Sequence, residues 1–154
     1  MKISTPIGPL WLDADSVGLT SVSFQLIQEN QQADPQVLAL ARKELEEYFS
    51  GTRQVFTVPL SIQRGSEFQQ SVWYALGKIP YGESRTYKQI AEAVNRPKAA
   101  RAIGQANRLN PLPIIIPCHR VIGQNGQLTG YMGSAENGLL IKRKLLILEN
   151  ILSK

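Results

Sequence analysis

The sequence has one cysteine and one histidine among its 154 residues. No internal disulfide can form, and no zinc site of the usual Cys and His ligands can be assembled. No apolar run approaches the ~20 residues of a membrane helix, and the N-terminus has no apolar signal core. Repeats and low-complexity segments are also lacking. We therefore expect an unprocessed cytoplasmic protein with no metal, no membrane partner and no targeting segment.

Positive charge is concentrated in the second half of the chain. Residues 1–63 hold four Lys or Arg against seven Asp or Glu, and residues 64–154 hold thirteen against five. Residues 78–120 alone contain eight basic residues and two acidic ones. Such a surface suits a polyanion, although solvated surface charge gives the same count. The change of composition at Arg64-Gly65 predicts two domains, residues 1–63 and residues 64–154.

The first half of the chain combines strand and helix patterns. Apolar residues alternate on both sides of a turn at residues 13–16, which predicts a β-hairpin. Helical spacing from Val37 to Phe49, followed by Gly51, predicts an amphipathic helix. The apolar run 55–60 predicts a further strand. The domain is therefore expected to contain both helix and sheet.

The second half begins with helix patterns. Capping boxes at Ser66 and Thr86 predict two helix starts, and the second of these helices is expected to run to Val94. Pro97 introduces a further helix over residues 98–107. Two short helices joined by a tight turn are a helix-turn-helix candidate, although packed helix pairs are common in other proteins.

The helix over residues 98–107 is rich in small and basic side chains. Small residues let another surface approach the helix backbone, and basic residues suit a phosphate backbone. An alanine-rich helix packed on the core would explain the same pattern. The candidate DNA contacts are Lys98, Ala99, Ala100, Arg101, Ala102, Gly104 and Arg108.

Three further elements are predicted after this helix. The run Ile-Ile-Ile at residues 114–116 indicates a short buried strand. Asn125-Gly126 indicates a tight hairpin turn. Helical spacing over residues 139–152 predicts a final amphipathic helix that includes Glu149.

Cys118 lies between Pro117 and the pair His119-Arg120. A thiol becomes a nucleophile when positive charge or a base favours the thiolate, and this pair offers both. Adjacent side chains rarely point the same way, so we expect His119 to act through a water, with Glu149 as the acid that orients it. A small, inert, buried cysteine is the alternative interpretation.

The segment Ile-Pro-Cys-His-Arg-Val at residues 116–121 resembles the active-site motif of the O6-alkylguanine-DNA alkyltransferases, also called methylated-DNA-protein-cysteine methyltransferases. Further segments are similar to that family and occur in the same order: residues 5–10, 97–102, 110–113, 129–131 and 142–149. The resemblance therefore covers nearly the whole chain.

The resemblance implies a fold of the α/β (α+β) class. An N-terminal ribonuclease H-like domain would precede a C-terminal winged helix-turn-helix domain that carries Cys118. The implied function is DNA repair: a methyl or other alkyl group moves irreversibly from O6-alkylguanine, and from O4-alkylthymine, onto Cys118. The base would be flipped out of double-stranded DNA. The protein would act once, as a monomer and without a cofactor.

The resemblance also implies a role for each of five residues at the reacting centre. Cys118 would be the nucleophile, His119 the base that acts through water, and Glu149 the orienting acid. Tyr87 would displace a DNA phosphate and donate a hydrogen bond to the base. Asn110 would be the hinge between the DNA-binding helix and the active site.

The remaining implied roles concern DNA and the base pocket. Arg101 would fill the stack that the flipped base leaves, and the small residues of its helix would lie in the minor groove. The implied pocket residues are Pro113, Val121, Tyr131 and Met132. This chain departs from the family in a longer segment after Tyr131, where Met132 stands at the position of a serine in some relatives.

Two other functions fit parts of the sequence. A non-catalytic module could recognise alkylated guanine and recruit other repair factors, but the relatives that do so replace the cysteine. A Cys-His hydrolase would turn over repeatedly, and it would leave the basic small-residue helix without a role. Cys118 argues against the first alternative, and the helix over residues 98–107 argues against the second.

Overall fold

The computed structural model describes residues 1–128 and 136–154. Contacts between residues divide the chain into two compact units, Met1–Arg64 and Gly65–Lys154. The first unit contains strands β1 (Lys2–Thr5), β2 (Gly8–Ala14) and β3 (Leu19–Ser23) and helix α1 (Pro35–Phe49). The strands form one antiparallel sheet in the order β1-β2-β3. The predicted hairpin corresponds to β2 and β3, and β1 adds a third strand.

The core of the first unit lies between the sheet and α1. Strand β2 buries the alternate residues Leu10, Leu12 and Ala14, because successive side chains of a strand point to opposite faces. Helix α1 buries Leu38, Ala41 and Leu45 on one side. Its first turn is capped by the Asp34 carboxylate, which accepts hydrogen bonds from two backbone N–H groups. Gly51 follows the helix end with φ of 83°, a conformation that glycine adopts without strain.

The predicted strand at residues 55–60 is wrong. Only Leu60 forms a β-bridge, to Leu19. The buried Glu44 carboxylate accepts hydrogen bonds from the backbone N–H of Thr57 and of Val58, at 2.9 Å each, and from the Thr57 hydroxyl at 2.6 Å. Backbone donors that a strand would offer to a neighbouring strand are therefore used by a side chain of α1.

The described residues of the second unit form four helices, a short parallel sheet and a 3-10 turn. The helices are α2 (Glu67–Leu76), α3 (Tyr87–Ala93), α4 (Ala100–Arg108) and α5 (Glu136–Leu148). Strand β4 (Arg85–Thr86) pairs with β5 (Val121–Ile122), and residues Cys118–Arg120 form the 3-10 turn just before β5. Both predicted capping boxes are present, at Ser66 and at Thr86. Within the described part of the chain, no helix is long and apolar enough to cross a membrane.

Helices α3 and α4 form the predicted helix pair. The turn between them includes Asn95, whose φ is 59°. Helix α4 begins two residues later than predicted, since Lys98 and Ala99 precede it and Ala99 offers no side-chain cap. The buried indole of Trp73 on α2 donates a hydrogen bond of 2.8 Å to the backbone carbonyl of Ala106 on α4. This bond, together with the burial of Ala106, anchors α4 against α2.

The predicted strand at residues 114–116 is also wrong. Ile114 has φ of 76°, which is rare for a β-branched residue, and the Ile116 N–H returns to the Leu112 carbonyl at 2.8 Å. The segment is therefore a tight loop, with a single bridge between Pro113 and Ile116. Such a backbone conformation costs roughly 1–3 kcal/mol and persists only where surrounding contacts hold it.

Two later predictions need adjustment. Gly126 has φ of 75° and the Gly123 N–H donates to the Gln127 carbonyl at 2.7 Å, so the turn at Asn125-Gly126 is present. No second strand of a hairpin follows it within the residues described up to Leu128. The last helix ends at Leu148 rather than at residue 152, and Glu149 lies just beyond its end.

Candidate active site

Cys118 is held by a sharp turn of the backbone. Pro117 has φ of −80° and ψ of 65°, the conformation of an inverse γ-turn, and across it the Cys118 N–H donates to the Ile116 carbonyl at 2.8 Å. The side chain is buried, with 3% of its surface exposed. The fixed φ of Pro117 therefore sets the direction in which the chain enters the 3-10 turn at Cys118.

Asn110 connects the end of α4 to this turn. Its side-chain Nδ2 donates to the Ile116 carbonyl at 2.8 Å, and its Oδ1 accepts from the Leu112 N–H at 2.9 Å. The Ile116 carbonyl thus accepts from both Asn110 and Cys118. Asn110 therefore lies between the end of α4 and the loop that leads to Cys118, and its role as a hinge stays a prediction.

His119 and Glu149 form a buried pair. His119 Nε2 and Glu149 Oε2 are 2.6 Å apart, and neither residue is more than 2% exposed. Burial lowers the pKa of His119; hydrogen bonding and charge from Glu149 oppose this shift, and the charges of Arg120 and Lys142 add to it. A neutral imidazole that donates from Nε2 to Glu149 carries its lone pair on Nδ1. That Nδ1 is buried and has no hydrogen-bond partner among the described residues. It can therefore accept a proton.

Arg120 binds the carboxylate of Glu149. Its Nε and Nη2 donate to the two carboxylate oxygens at 2.8 and 3.1 Å, and its Nη1 donates to the Ile79 carbonyl at 2.6 Å. The guanidinium therefore binds the same carboxylate as His119. The Gly82 N–H is a further donor to Glu149, at 3.3 Å.

Two residues of this cluster were missed in the sequence. Lys142 is 1% exposed, and its Nζ donates to the Val121 carbonyl at 2.6 Å and lies 5.8 Å from the centre of the Tyr87 ring. The Tyr81 hydroxyl donates to the Leu148 carbonyl at 3.3 Å, and its ring lies 5.7 Å from the Arg120 guanidinium. The spacing of residues 142, 145 and 149 places Lys142 on the same helical face as buried Leu145, a signal that could have identified it.

Helix α4 presents an open face. Lys98, Ala100, Arg101, Ala102 and Arg108 are exposed, and Ala99 and Gly104 are partly exposed. A Cβ atom added at Gly104 would meet no other atom within 4 Å. Packing inside the unit therefore does not require a residue as small as glycine at this position. Such a residue is expected on a surface that binds a ligand.

The predicted pocket residues are only partly described. Pro113 and Val121 are buried close to Cys118 in the chain, and Tyr87 is half-buried at the start of α3. Tyr131 and Met132 lie outside the described residues. Across residues 1–128 and 136–154, no group of three or more His, Cys, Asp or Glu side chains could hold a metal ion.

The chain is similar to known proteins over nearly its whole length. The family model of the 6-O-methylguanine DNA methyltransferase DNA binding domain matches residues 67–151, and the model of its ribonuclease-like domain matches residues 1–62. A constitutive methylated-DNA-protein-cysteine methyltransferase of Bacillus subtilis is 47% identical, with 96% of this chain and 92% of the relative covered. A crystal structure of Mycobacterium tuberculosis OGT in complex with DNA is 45% identical, with a TM-score of 0.86 and coverage of 97% and 91%.

A more distant similarity is with S. pombe Atl1 in complex with damaged DNA containing O6-carboxymethylguanine. That chain is 33% identical, with a TM-score of 0.50, and the similarity covers 57% of this chain and 80% of that one. The predicted fold class, mixed α/β with a ribonuclease-like N-terminal domain and a DNA-binding C-terminal domain, is confirmed. Both domain models match in order and together span nearly all residues, so the chain belongs to the 6-O-methylguanine DNA methyltransferase family.

Proposed function

We propose that this protein repairs double-stranded DNA by moving an alkyl group from O6-alkylguanine, and from O4-alkylthymine, irreversibly onto Cys118. The observation that carries the proposal is the buried His119-Glu149 pair beside the cysteine, in which His119 Nδ1 has no hydrogen-bond partner among the described residues. Residues 64–154 bind the DNA and accept the alkyl group, and residues 1–63 form the separate ribonuclease-like domain.

The chemistry is one displacement. The Cys118 thiol proton passes through a water to His119 Nδ1, and Glu149 stabilises the imidazolium that forms. The thiolate sulfur attacks the alkyl carbon, the bond from that carbon to O6 breaks, and its electron pair stays on the guanine. Water supplies the proton that restores the neutral base, which accepts a hydrogen bond from the Tyr87 hydroxyl, and the His119 imidazolium returns its proton to water. The product is a stable thioether, so each molecule acts once.

Recognition of DNA belongs to α4. Exposed Ala100 and Ala102 let the duplex approach the helix backbone in the minor groove, while Lys98 and Arg108 meet phosphates. Arg101 fills the stack after the damaged base has turned outwards, because O6 cannot be reached inside the duplex. The flipped base occupies a pocket formed by Pro113, Val121, Tyr131 and Met132.

Asn110 transmits the position of α4 to the reacting centre. Its two hydrogen bonds hold the loop that carries Cys118, so a duplex docked on α4 is aligned with the thiol. The protein functions as a monomer in the cytoplasm, where it meets nucleoid DNA and where a reducing environment keeps its single thiol reduced.

The alternative is a module that recognises alkylated guanine without chemistry. The similarity to the Atl1 chain bound to damaged DNA is the observation that favours it, since binding and alkyl transfer are separable activities. The buried pair His119-Glu149 argues for transfer, because a module that only binds DNA needs no base beside a thiol.

Intact mass spectrometry tests the proposal. The protein is incubated with a duplex that contains one O6-methylguanine, and we expect every active chain to gain the mass of one methyl group. Cys118→Ala should gain nothing while it still binds the duplex. A wild-type chain that binds the methylated duplex and never gains mass would establish the non-catalytic module, and repeated turnover would establish a hydrolase or another multiple-turnover enzyme.

A further inference from the structure

We propose that Leu109 is an apolar contact for DNA, which packs against the deoxyribose edge of the minor groove when a duplex docks on α4. This inference rests on the proposed function, to which it adds a residue that neither the phosphate contacts nor the base pocket uses. The partner of the side chain is the sugar surface of the duplex, not a base and not a phosphate.

Leu109 is an exposed apolar residue at the edge of a buried segment. It follows α4 directly and keeps 56% of its surface exposed. The residues after it, 110–114, are all buried. A single exposed leucine is common on protein surfaces and by itself indicates no site. Its position relative to the charged residues of α4 therefore carries the argument.

Leu109 lies on the same face of α4 as Arg101. The Leu109 N–H donates to the Gln105 carbonyl at 3.1 Å, so the helical path of the chain continues to this residue. Arg101, Gln105 and Leu109 are spaced four residues apart, which places them in one row along the helix. All three are exposed, and the row spans about 12 Å at a rise of about 1.5 Å per residue. Leu109 is the apolar end of a row that begins with the arginine assigned to the DNA stack.

The charge of this region identifies what covers the leucine. No acidic residue occurs between Glu92 and Glu136, and Lys98 and Arg108 are exposed on either side of the row. Such a surface favours a polyanion, and the proposed function places duplex DNA on it. Deoxyribose rings form the walls of the minor groove, and their carbon atoms offer an apolar surface. Proteins that bind the minor groove place apolar side chains, leucine among them, against the duplex.

Leu109 also marks the junction between α4 and the loop of the nucleophile. The next residue, Asn110, is buried and donates to the Ile116 carbonyl at 2.8 Å, and the Cys118 N–H donates to the same carbonyl. A sugar packed on Leu109 thus holds the duplex at the end of α4 that hydrogen bonds connect to the reacting turn. Loss of the contact should weaken docking of the duplex and leave the thiol chemistry in place.

Binding of duplex to Leu109→Ala tests the contact. Fluorescence anisotropy with a labelled, unmodified duplex measures Kd at a series of salt concentrations. Leu109→Ala removes apolar surface and no charge. We therefore expect Kd to rise about five- to tenfold while the slope of log Kd against log salt stays that of wild type. Arg108→Ala, which removes a phosphate contact, should instead make this slope shallower by about 0.9.

Leu26→Ala is the matched control. Leu26 is 78% exposed and belongs to the first unit, so the same substitution there should leave Kd unchanged. Leu109→Met keeps the apolar volume and should bind duplex as wild type does. Leu109→Gln has a similar length and a polar end, so it should weaken binding as Leu109→Ala does. The glutamine variant supplies the same test if the alanine variant does not fold.

Two results would overturn the proposal. The first is an unchanged Kd in folded Leu109→Ala. The second is weaker binding together with a shallower salt slope, because the leucine would then act by positioning Arg108 rather than by touching a sugar. The rate of reaction with free O6-benzylguanine, which needs no duplex, reports whether the thiol and the fold are intact in each variant.

Transfer from methylated duplex is scored separately by intact mass. A wild-type chain that binds duplex, loses affinity in Leu109→Ala and never gains a methyl group would refute the proposed function and leave the DNA contact established. A chain that gains the methyl group and binds duplex equally well without Leu109 would keep the proposed function and refute the contact.

Discussion

Replacement of Glu149 by glutamine separates the structural and chemical contributions of the buried cluster. Glu149 is 2% exposed and receives hydrogen bonds from His119, Arg120 and Gly82. Glu149→Gln keeps the shape of the side chain and removes its charge, which leaves the Arg120 guanidinium, 5% exposed, without its counter-charge. Breaking a buried pair in this way costs about 3–5 kcal/mol, a large share of the roughly 5–15 kcal/mol that stabilises an ordinary domain.

A matched control is available on α1. Arg42 and Glu46 form an ion pair at 2.9 Å, but both side chains are 56% exposed. Glu46→Gln should therefore change the free energy of unfolding by only about 0.3–0.5 kcal/mol. Urea unfolding of wild type, Glu149→Gln and Glu46→Gln at pH 7 measures the contrast. A cost below about 1 kcal/mol for Glu149→Gln would show that the buried charges are compensated in some other way.

The double variant Arg120→Met/Glu149→Gln then isolates the chemistry. With both charges removed, most of the lost stability should return, apart from about 1 kcal/mol for the Ile79 carbonyl that loses its donor. The single-turnover rate of methyl transfer should remain about a hundredfold or more below wild type, because no carboxylate supports the His119 imidazolium. Recovery of the rate together with the stability would refute a chemical role for Glu149.

Three further predictions concern the DNA-binding face and the core of the first unit. Gly104→Ala should raise the free energy of unfolding by roughly 0.5–1 kcal/mol, since its Cβ meets nothing within 4 Å, and yet weaken binding to duplex measured by fluorescence anisotropy. Arg101→Ala should slow repair of duplex far more than reaction with free O6-benzylguanine, which needs no base flipping; an equal loss on both substrates would place Arg101 in the chemistry or the fold. Burial raises the pKa of Glu44, but hydrogen bonds from Thr57 and Val58 and the charge of Arg53 outweigh it and lower the pKa overall. The stability that Glu44 adds at neutral pH should therefore be lost as the pH falls through the folded pKa. In urea unfolding at a series of acid pH values, Glu44→Gln should show a smaller fall of the free energy of unfolding than wild type.

Local chemistry explains which parts of the fold could be predicted. The two capping boxes act between a residue and its neighbour three positions along, so Ser66 and Thr86 identified the starts of α2 and α3 correctly. The hairpin of β2 and β3 and the extent of α1 also follow from periodicity within the segment. These elements depend on residues that are close in sequence.

The wrong strand predictions have another cause, since hydrogen bonds with other groups override the strand composition of the segment. The segment at residues 55–60 has the composition of a strand, but the Glu44 carboxylate of α1 takes its N–H groups. The run at residues 114–116 is folded back by a backbone bond from Ile116 to Leu112, with Asn110 holding both ends of the loop. The Glu44 carboxylate lies 13 residues from Thr57 and therefore outside a short window. The contacts of Ile116 with Leu112 and Asn110 are local, but the spacing of apolar residues does not indicate them.

The sequence also predicted only part of the candidate site. The motif around Cys118 and the expected proximity of Glu149 to His119 came from the sequence, and the structure places the two side chains in contact. Their catalytic roles stay predictions. The partner of Arg120 could not be anticipated, because it is a residue 29 positions away in the chain. The burial of Lys142 could have been inferred only from its helical spacing with Leu145.

The bond between Trp73 and the Ala106 carbonyl gives the molecule an internal optical reporter. Indole fluorescence depends on the hydrogen bonding and the polarity around Nε1, and in Trp73 that nitrogen is bonded to the helix that would meet DNA. The chain has two tryptophans, and the other, Trp11, lies on β2 in the first unit. In a Trp11→Phe background, any displacement of α4 during docking or after alkylation of Cys118 would therefore be read as a change in emission from a single residue, without a label attached to either the protein or the DNA.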